Sequence, residues 1–294
     1  MFYRAESDSL FSTPSENRSL SIRCIILGLL ILTCGGLLLG SRIGKQSLWL
    51  DESLTVGPAL AATDLGDLIP RVRQVDSQPP ASHFVIYMLR SFVPINEFYL
   101  RLPSLIFVEV GLVFLFFLVN LLWGERIALV TLVLAQFSPF LCHYAAESRN
   151  YGLWFLLIVT SFHCMLAWLR CLASQESKGY WLWASLWGLA NGMGLWVQIF
   201  HCFEILGQAI MCLVLLVSLP GVRSRAGSKS SFLLAQAIAG LLFLPWVMIL
   251  LSETGAGKIG VGWTRQFSLV SAAYCLFAFF FGFSLGPNLP QLHL

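Results

Sequence analysis

Two adjacent carboxylates, Asp51 and Glu52, follow closely on the first long apolar run of the chain. A carboxylate at the rim of an apolar segment can take a proton from a reacting hydroxyl. It can equally be a solvated loop acid, or fill the first turn of a helix, where negative charge is favoured. Glu52 has further options: positioning a substrate hydroxyl or helping to hold a metal ion. Arg101 and Arg149 stand at the ends of later apolar runs. The planar fork of an arginine matches phosphate oxygens two at a time, and a long cationic side chain in such a place can also reach for the membrane interface. Glu147 lies two residues before Arg149 and reads as its counterion. Tyr151 can stack on a ligand ring or belong to an interfacial aromatic belt. His201 and Glu204 share a helix face at i, i+3; they line a cavity or satisfy each other inside a bundle. Asp51, Glu52, Glu147 and His201 are of the right types to ligate a metal, but their spacing demands none and none is expected.

These residues must be positioned by apolar helices. Of 294 residues, 57% are hydrophobic and 11% charged, where a soluble domain carries about 25% charged residues. The mean hydropathy is +0.77. Crossing a bilayer takes about 20 mostly apolar residues in a helix, and helices satisfy their own backbone groups in hydrocarbon. A membrane barrel would need alternating segments of ~10 residues; the runs here are longer and continuous. They cover about 22–40, 102–122, 127–143, 152–170, 181–198, 202–219, 231–251 and 267–284, eight in all. The expected fold is therefore all-α, a polytopic transmembrane bundle of about eight spans. Residues 1–21 read as a cytoplasmic tail and 22–294 as one membrane domain. The polar tail and the lack of an A-x-A site mark the first run as a retained signal-anchor. The eight cysteines show no CxxC spacing and read as small hydrophobes. No P-loop, GxGxxG or HExxH pattern is present, and the formal charge of +3 does not suggest a nucleic-acid partner.

The segment 41–100 is the long loop of this plan. Within it, 52–62 and 65–74 predict short amphipathic helices whose apolar residues, among them Val56, Leu68 and Val72, would lie on the bilayer surface. Asp64 would cap the second. Residues 83–95 are apolar but short, and Arg90 would be costly in hydrocarbon, so the segment is expected to lie at the interface. Cytoplasmic loops are rich in Lys and Arg. With 83–95 outside the membrane, the loops carrying Arg126, Arg170–Lys178 and Arg223–Lys229 all fall inside. The 41–100 loop, the 147–151 turn, the turn at 201–204 and the 252–266 loop then share the extracytoplasmic face, where the chemistry is expected.

The motifs come in a recognisable order: Leu48-Trp49-Leu50-Asp51-Glu52-Ser53, then Asp76-Ser77-Gln78-Pro79-Pro80, then Phe98-Tyr99-Leu100-Arg101-Leu102-Pro103-Ser104. Ser138-Pro139, Glu147-Ser148-Arg149-Asn150-Tyr151-Gly152, His201-Cys202-Phe203 with Gln208, and Leu244-Pro245-Trp246 follow. Over about residues 20–285 this series resembles the GT-C superfamily of membrane glycosyltransferases, in the branch of protein O-mannosyltransferases and aminoarabinose transferases. Gln78 stands where many relatives carry His, and many relatives have further spans, so the chain reads as a shortened member or a fragment.

The resemblance implies a transferase that takes a sugar from a polyprenyl-phosphate carrier, inverts the anomeric carbon, and delivers it to a lipid, glycan or protein acceptor. Asp51 would be the base, and Glu52 its neighbour in the catalytic pair. Arg101, Glu147, Arg149, Tyr151 and His201 are the substrate-binding candidates. A divalent ion is possible but not expected, no other cofactor is implied, and the location is a bacterial inner or plasma membrane. Two other readings stand beside it: a transporter or flippase of lipid-linked precursors, and a non-catalytic remnant of the family.

Overall fold

The computed structural model describes residues 20–75, 78–173, 179–218 and 227–254. Among them the chain is helical: α1 (Ile22–Gly40), α2 (Leu50–Ala61), α3 (Leu65–Val75), α4 (Ala81–Leu89), α5 (Glu97–Trp123), α6 (Glu125–Gln136), α7 (Pro139–Ala145), α8 (Tyr151–Ala173), α9 (Gly179–Val197), α10 (His201–Ser218) and α11 (Ser228–Thr254). Four of these, α1, α5, α8 and α11, are long and apolar enough to cross a bilayer. The pair α6 and α7, bent by 60° at Ser138-Pro139, makes a fifth if it counts as one span. The expected count of about eight is thus met only in part. α9 has the length, but its tryptophans, glycines and Asn191 lower its hydropathy. The apolar part of α10, His201–Leu215, is short. The expected run at 267–284 and the tail 1–19 lie outside the described residues.

Small residues set the helix spacing. Gly188 and Gly192 of α9 face Ala235 and Ala239 of α11, and a Cβ on Gly188 would run into the Ala235 carbonyl. Two small residues one turn apart on each helix let the backbones approach, which is how helices pack where lipid is as apolar as the side chains. α5 and α8 cross in the same way: a Cβ on Gly152 would sit 2.7 Å from the Ser104 carbonyl oxygen. Trp168, Trp187 and Leu172 fill the core between α8, α9 and α11. Gly124, at φ 87°, joins α5 to α6 in a turn that other residues adopt with strain. At that same end the Ser21 backbone N–H and hydroxyl donate to the Glu125 carboxylate at 2.6 and 2.8 Å.

The loop helices α2, α3 and α4 form a small body of their own at the opposite end. The apolar faces expected to lie on lipid are turned inward instead: Val56, Ala59, Leu68, Val72, Ile86 and Leu100 pack on one another. Three short amphipathic helices can bury their stripes mutually, which removes the same apolar surface from water without lipid. Asp64 caps α3, accepting the Asp67 N–H at 2.9 Å. α4 has nine residues, a length of about 14 Å and too short to cross. Arg90, at its end, donates to the carbonyls of Ala59, Leu60 and Ala62 and lies 4.0 Å over the Tyr87 ring. Its charge closes the C-terminus of α2, a favourable place for a cation.

Candidate functional site

Asp51 and Glu52 open α2 and point to different environments. Glu52 is fully buried. Its Oε1 accepts from Arg101 Nε and the Ser148 backbone N–H, both at 2.7 Å. Its Oε2 accepts from Arg101 Nη2 at 2.7 Å and the Trp49 N–H at 3.2 Å. An ionised carboxylate offers about four lone-pair sites, and here four donors fill them. Burial alone would raise the Glu52 pKa; the Arg101 guanidinium and the two backbone N–H groups outweigh it and hold the carboxyl below its usual range.

Arg101 is equally committed. Nη1 donates to the carbonyls of Ile43 and Gln46 at 2.7 Å each, and Nη2 also to that of Ser47 at 3.1 Å. With the two bonds to Glu52, all five guanidinium N–H groups have acceptors. No donor is left over in this geometry for the phosphate expected there. Arg101 instead fastens the 43–47 segment and the start of α2 to the first turns of α5.

Asp51 is only half-buried, and its carboxylate makes no hydrogen bond or ion pair with the described residues. Its main-chain carbonyl accepts from Arg149 Nη1 at 3.0 Å, and the same nitrogen donates to the Thr55 hydroxyl at 3.1 Å. Arg149 also meets the Tyr151 hydroxyl, and the charges of Glu147 and Asp51 act on that ring. The 146–150 turn is held from below by the Ser104 hydroxyl, which donates to the Arg149 carbonyl at 3.3 Å. Asn150 donates to the Val197 carbonyl at 2.9 Å. A narrow cleft opens beside it, with Thr55, Ser148 and Arg149 on its polar side and Ile86, Phe107 and Leu153 on its apolar side.

Glu147 does not pair with Arg149 as its position suggests. The turn sends it back to α7, where its carboxylate meets His143 Nε2 at 2.9 Å, one helical turn away in sequence. Tyr151 packs on Tyr144 with ring centroids 4.2 Å apart. His201 lies apart from Asp51, in the bundle. Its Nδ1 accepts from Trp154 Nε1 and its Nε2 meets Asn191 Oδ1, each at 3.1 Å. Asn191 continues to Gln208, and Gln208 to Ser161 at 2.7 Å. The chain of bonds ties α8, α9 and α10, and Glu204 takes no part in it. Among the described residues no three His, Cys, Asp or Glu side chains gather into a metal-binding group.

The motifs at 49–53, 101–104 and 147–152 therefore converge on one end of the bundle through hydrogen bonds between residues far apart in sequence. Residues 77–249 match the family model described as dolichyl-phosphate-mannose-protein mannosyltransferase. That is more than half of the chain. The chain belongs to this family. It is a membrane glycosyltransferase of the GT-C type. Comparison with curated proteins gives no match. The matched stretch contains Arg101, Glu147, Arg149, Tyr151 and His201 and begins after Asp51 and Glu52. In this family member, then, the acidic pair reaches the matched region through the Glu52 bonds to Arg101 and Ser148.

Thr55 and His143 carry no motif in the sequence, and Ser104 and Ser148 stand inside motifs without a role assigned to them. Ser148 acts through its backbone N–H, which leaves no trace in residue type. His143 and Glu147 are four apart on a helical run, and that spacing was the available signal.

Proposed function

We propose that the chain transfers a sugar from a polyprenyl-phosphate carrier to a lipid, glycan or protein hydroxyl on the extracytoplasmic face, with Asp51 as base. The observation that carries this reading is the division of labour within the acidic pair. Glu52 spends every acceptor on Arg101, Ser148 and Trp49, while the half-exposed Asp51 carboxylate beside it keeps its oxygens for other partners.

The step is a single displacement. The acceptor oxygen bonds to the anomeric carbon as its proton passes to the Asp51 carboxylate. The bond from that carbon to the phosphate oxygen breaks, and the carrier leaves as a phosphate monoester, so the sugar is inverted. The leaving group gains negative charge, which a fixed cation stabilises. Arg149 borders the cleft and takes this role, whereas Arg101 positions Asp51 by clamping α2. Tyr151 and Glu147 shape the rim around Arg149, and His201 supports it from within the bundle.

The test is single-turnover transfer from labelled polyprenyl-phosphate sugars by purified protein in nanodiscs. Asp51→Asn removes the base with almost no change of shape and is expected to lower transfer at least ~100-fold, in the range general bases supply, with insertion and melting unchanged. Transfer at the wild-type rate by that variant would sink the assignment.

A further inference from the structure

Glu109 lies in the middle of α5, twelve residues after Glu97 and so about 18 Å along the helix. A carboxylate at such a depth is costly unless paired. Among the described residues it has no cationic partner: the ion pairs are Arg71–Asp67, Arg101–Glu52 and His143–Glu147. Its partner is an amide. Gln136 Nε2, at the end of α6, donates to Glu109 Oε1 at 2.8 Å. The other oxygens of the same two planar groups, Glu109 Oε2 and Gln136 Oε1, are both buried and both lack a partner.

An ionised carboxylate only accepts, and an amide oxygen only accepts. With Glu109 charged, two buried acceptors would remain with no donor, each at the cost of its lost hydration. One proton on Oε2 removes both deficits, because the acid O–H then donates to Gln136 Oε1 alongside the existing N–H bond. We infer that Glu109 is protonated and forms a two-hydrogen-bond acid–amide ring with Gln136, a neutral lock joining α1, α5 and α6 within the bilayer.

α1 supplies the lid. A Cβ on Gly35 would collide with the Gln136 side chain, and one on Gly36 would lie 3.3 Å from Glu109 Oε1. The two glycines give the ring its space and seal it. From α7, the Cys142 thiol donates to the Gln136 carbonyl at 3.4 Å; Cys142 is the titratable group on that side that lies within electrostatic reach of Glu109, and Arg42 is its cationic neighbour. The lock holds the helix that begins with the Arg101 clamp, and it does not depend on the sugar-transfer reading.

The test uses the full chain in nanodiscs at neutral pH. Infrared difference spectra between wild type and Glu109→Gln are expected to show a protonated-carboxyl stretch, shifted by deuteration, only in wild type. Glu109→Gln can form the same ring amide to amide, so its Tm is expected to stay within about 2 °C of wild type. Gln136→Leu leaves the acid unpaired and is expected to melt ~4 °C lower or more, the shift that a lost buried bond gives at this size. Absence of the carboxyl band overturns the inference. So does a Glu109→Gln protein that melts as low as Gln136→Leu, or a Gln136→Leu protein that melts with wild type.

Discussion

Removing one partner of the Glu52–Arg101 pair leaves the other as a buried charge, which costs about 3–5 kcal/mol. Arg101→Lys is expected to lose most of that, because an ammonium has three donors and no fork to replace five bonds. Thermal unfolding in detergent reads the loss. Arg149→Lys, by contrast, is expected to lose less stability than Arg101→Lys while transfer from the lipid-linked donor falls ~10-fold or more, since one good charge-assisted bond is worth about 1.5–3 kcal/mol. If instead Arg101→Lys were the variant that kept its stability and lost its transfer, the two arginines would have exchanged roles. Acid should reproduce the Glu52 loss. Its carboxyl titrates below the ordinary range when folded, so the folded chain binds fewer protons than the unfolded one. That stabilisation is complete above the unfolded value of about 4.3 and vanishes as pH falls through the folded value. As pH falls below about 4.3, the melting temperature of wild type is expected to move toward that of Glu52→Gln, with little change at higher pH. Little of this was legible in the sequence. The pairing of an arginine with the carbonyls of Ile43, Gln46 and Ser47 leaves no mark on residue type, so Arg101 and Arg149 looked alike.

At the scale of elements, the α9–α11 seam depends on the absence of side chains. Gly188→Val places its branches against the Ala235 carbonyl, and the helices must part or shift. The expected result is a Tm drop of several degrees, with the core tryptophan fluorescence moving to the red as Trp168 and Trp187 meet water. An unchanged spectrum and Tm would mean that the backbones are not in contact there. The loop helices show how far periodicity reaches. Their boundaries and the Asp64 cap followed from the apolar pattern and the residue types. Which surface the stripes cover did not, because a stripe records that something apolar is opposite and not whether it is lipid or another helix. The same limit applies to His201, whose i, i+3 neighbour Glu204 was the visible partner while Asn191 and Trp154, on other helices, are the actual ones.

For the whole molecule, the site end and the Ser21–Glu125 end are opposite ends of the bundle, and the chain's basic loops decide which is cytoplasmic. Reporter fusions after Lys229 and after Lys258 are expected to read inside and outside respectively. The reverse pattern would place the acidic pair in the cytoplasm and remove the proposed face of the reaction. The all-helical class was visible from composition and from the length of the apolar runs. The span count was less so: 181–198 and 202–219 read as spans, whereas α9 carries Asn191, glycines and indole nitrogens that lower its hydropathy and the apolar part of α10 is short. Hydropathy measures fitness for lipid, and α9 is two-sided, with Leu182, Leu189 and Met193 exposed and Trp187, Asn191 and Gly192 against other helices.

The four bonds to Glu52 also impose an order on biosynthesis. The carboxylate emerges just after α1, yet Arg101 follows 49 residues later and Ser148 96 residues later. Until α5 is made, Glu52 has only local hydration and its own helix turn; until the turn ahead of α8 is made, its last donor does not exist. The nascent loop therefore passes through a stage in which α2 is tethered at one point and then at two. Only synthesis of the 146–150 turn, which precedes α8, completes the junction. A chain stalled between these points would hold the loop without its Arg101 and Ser148 contacts.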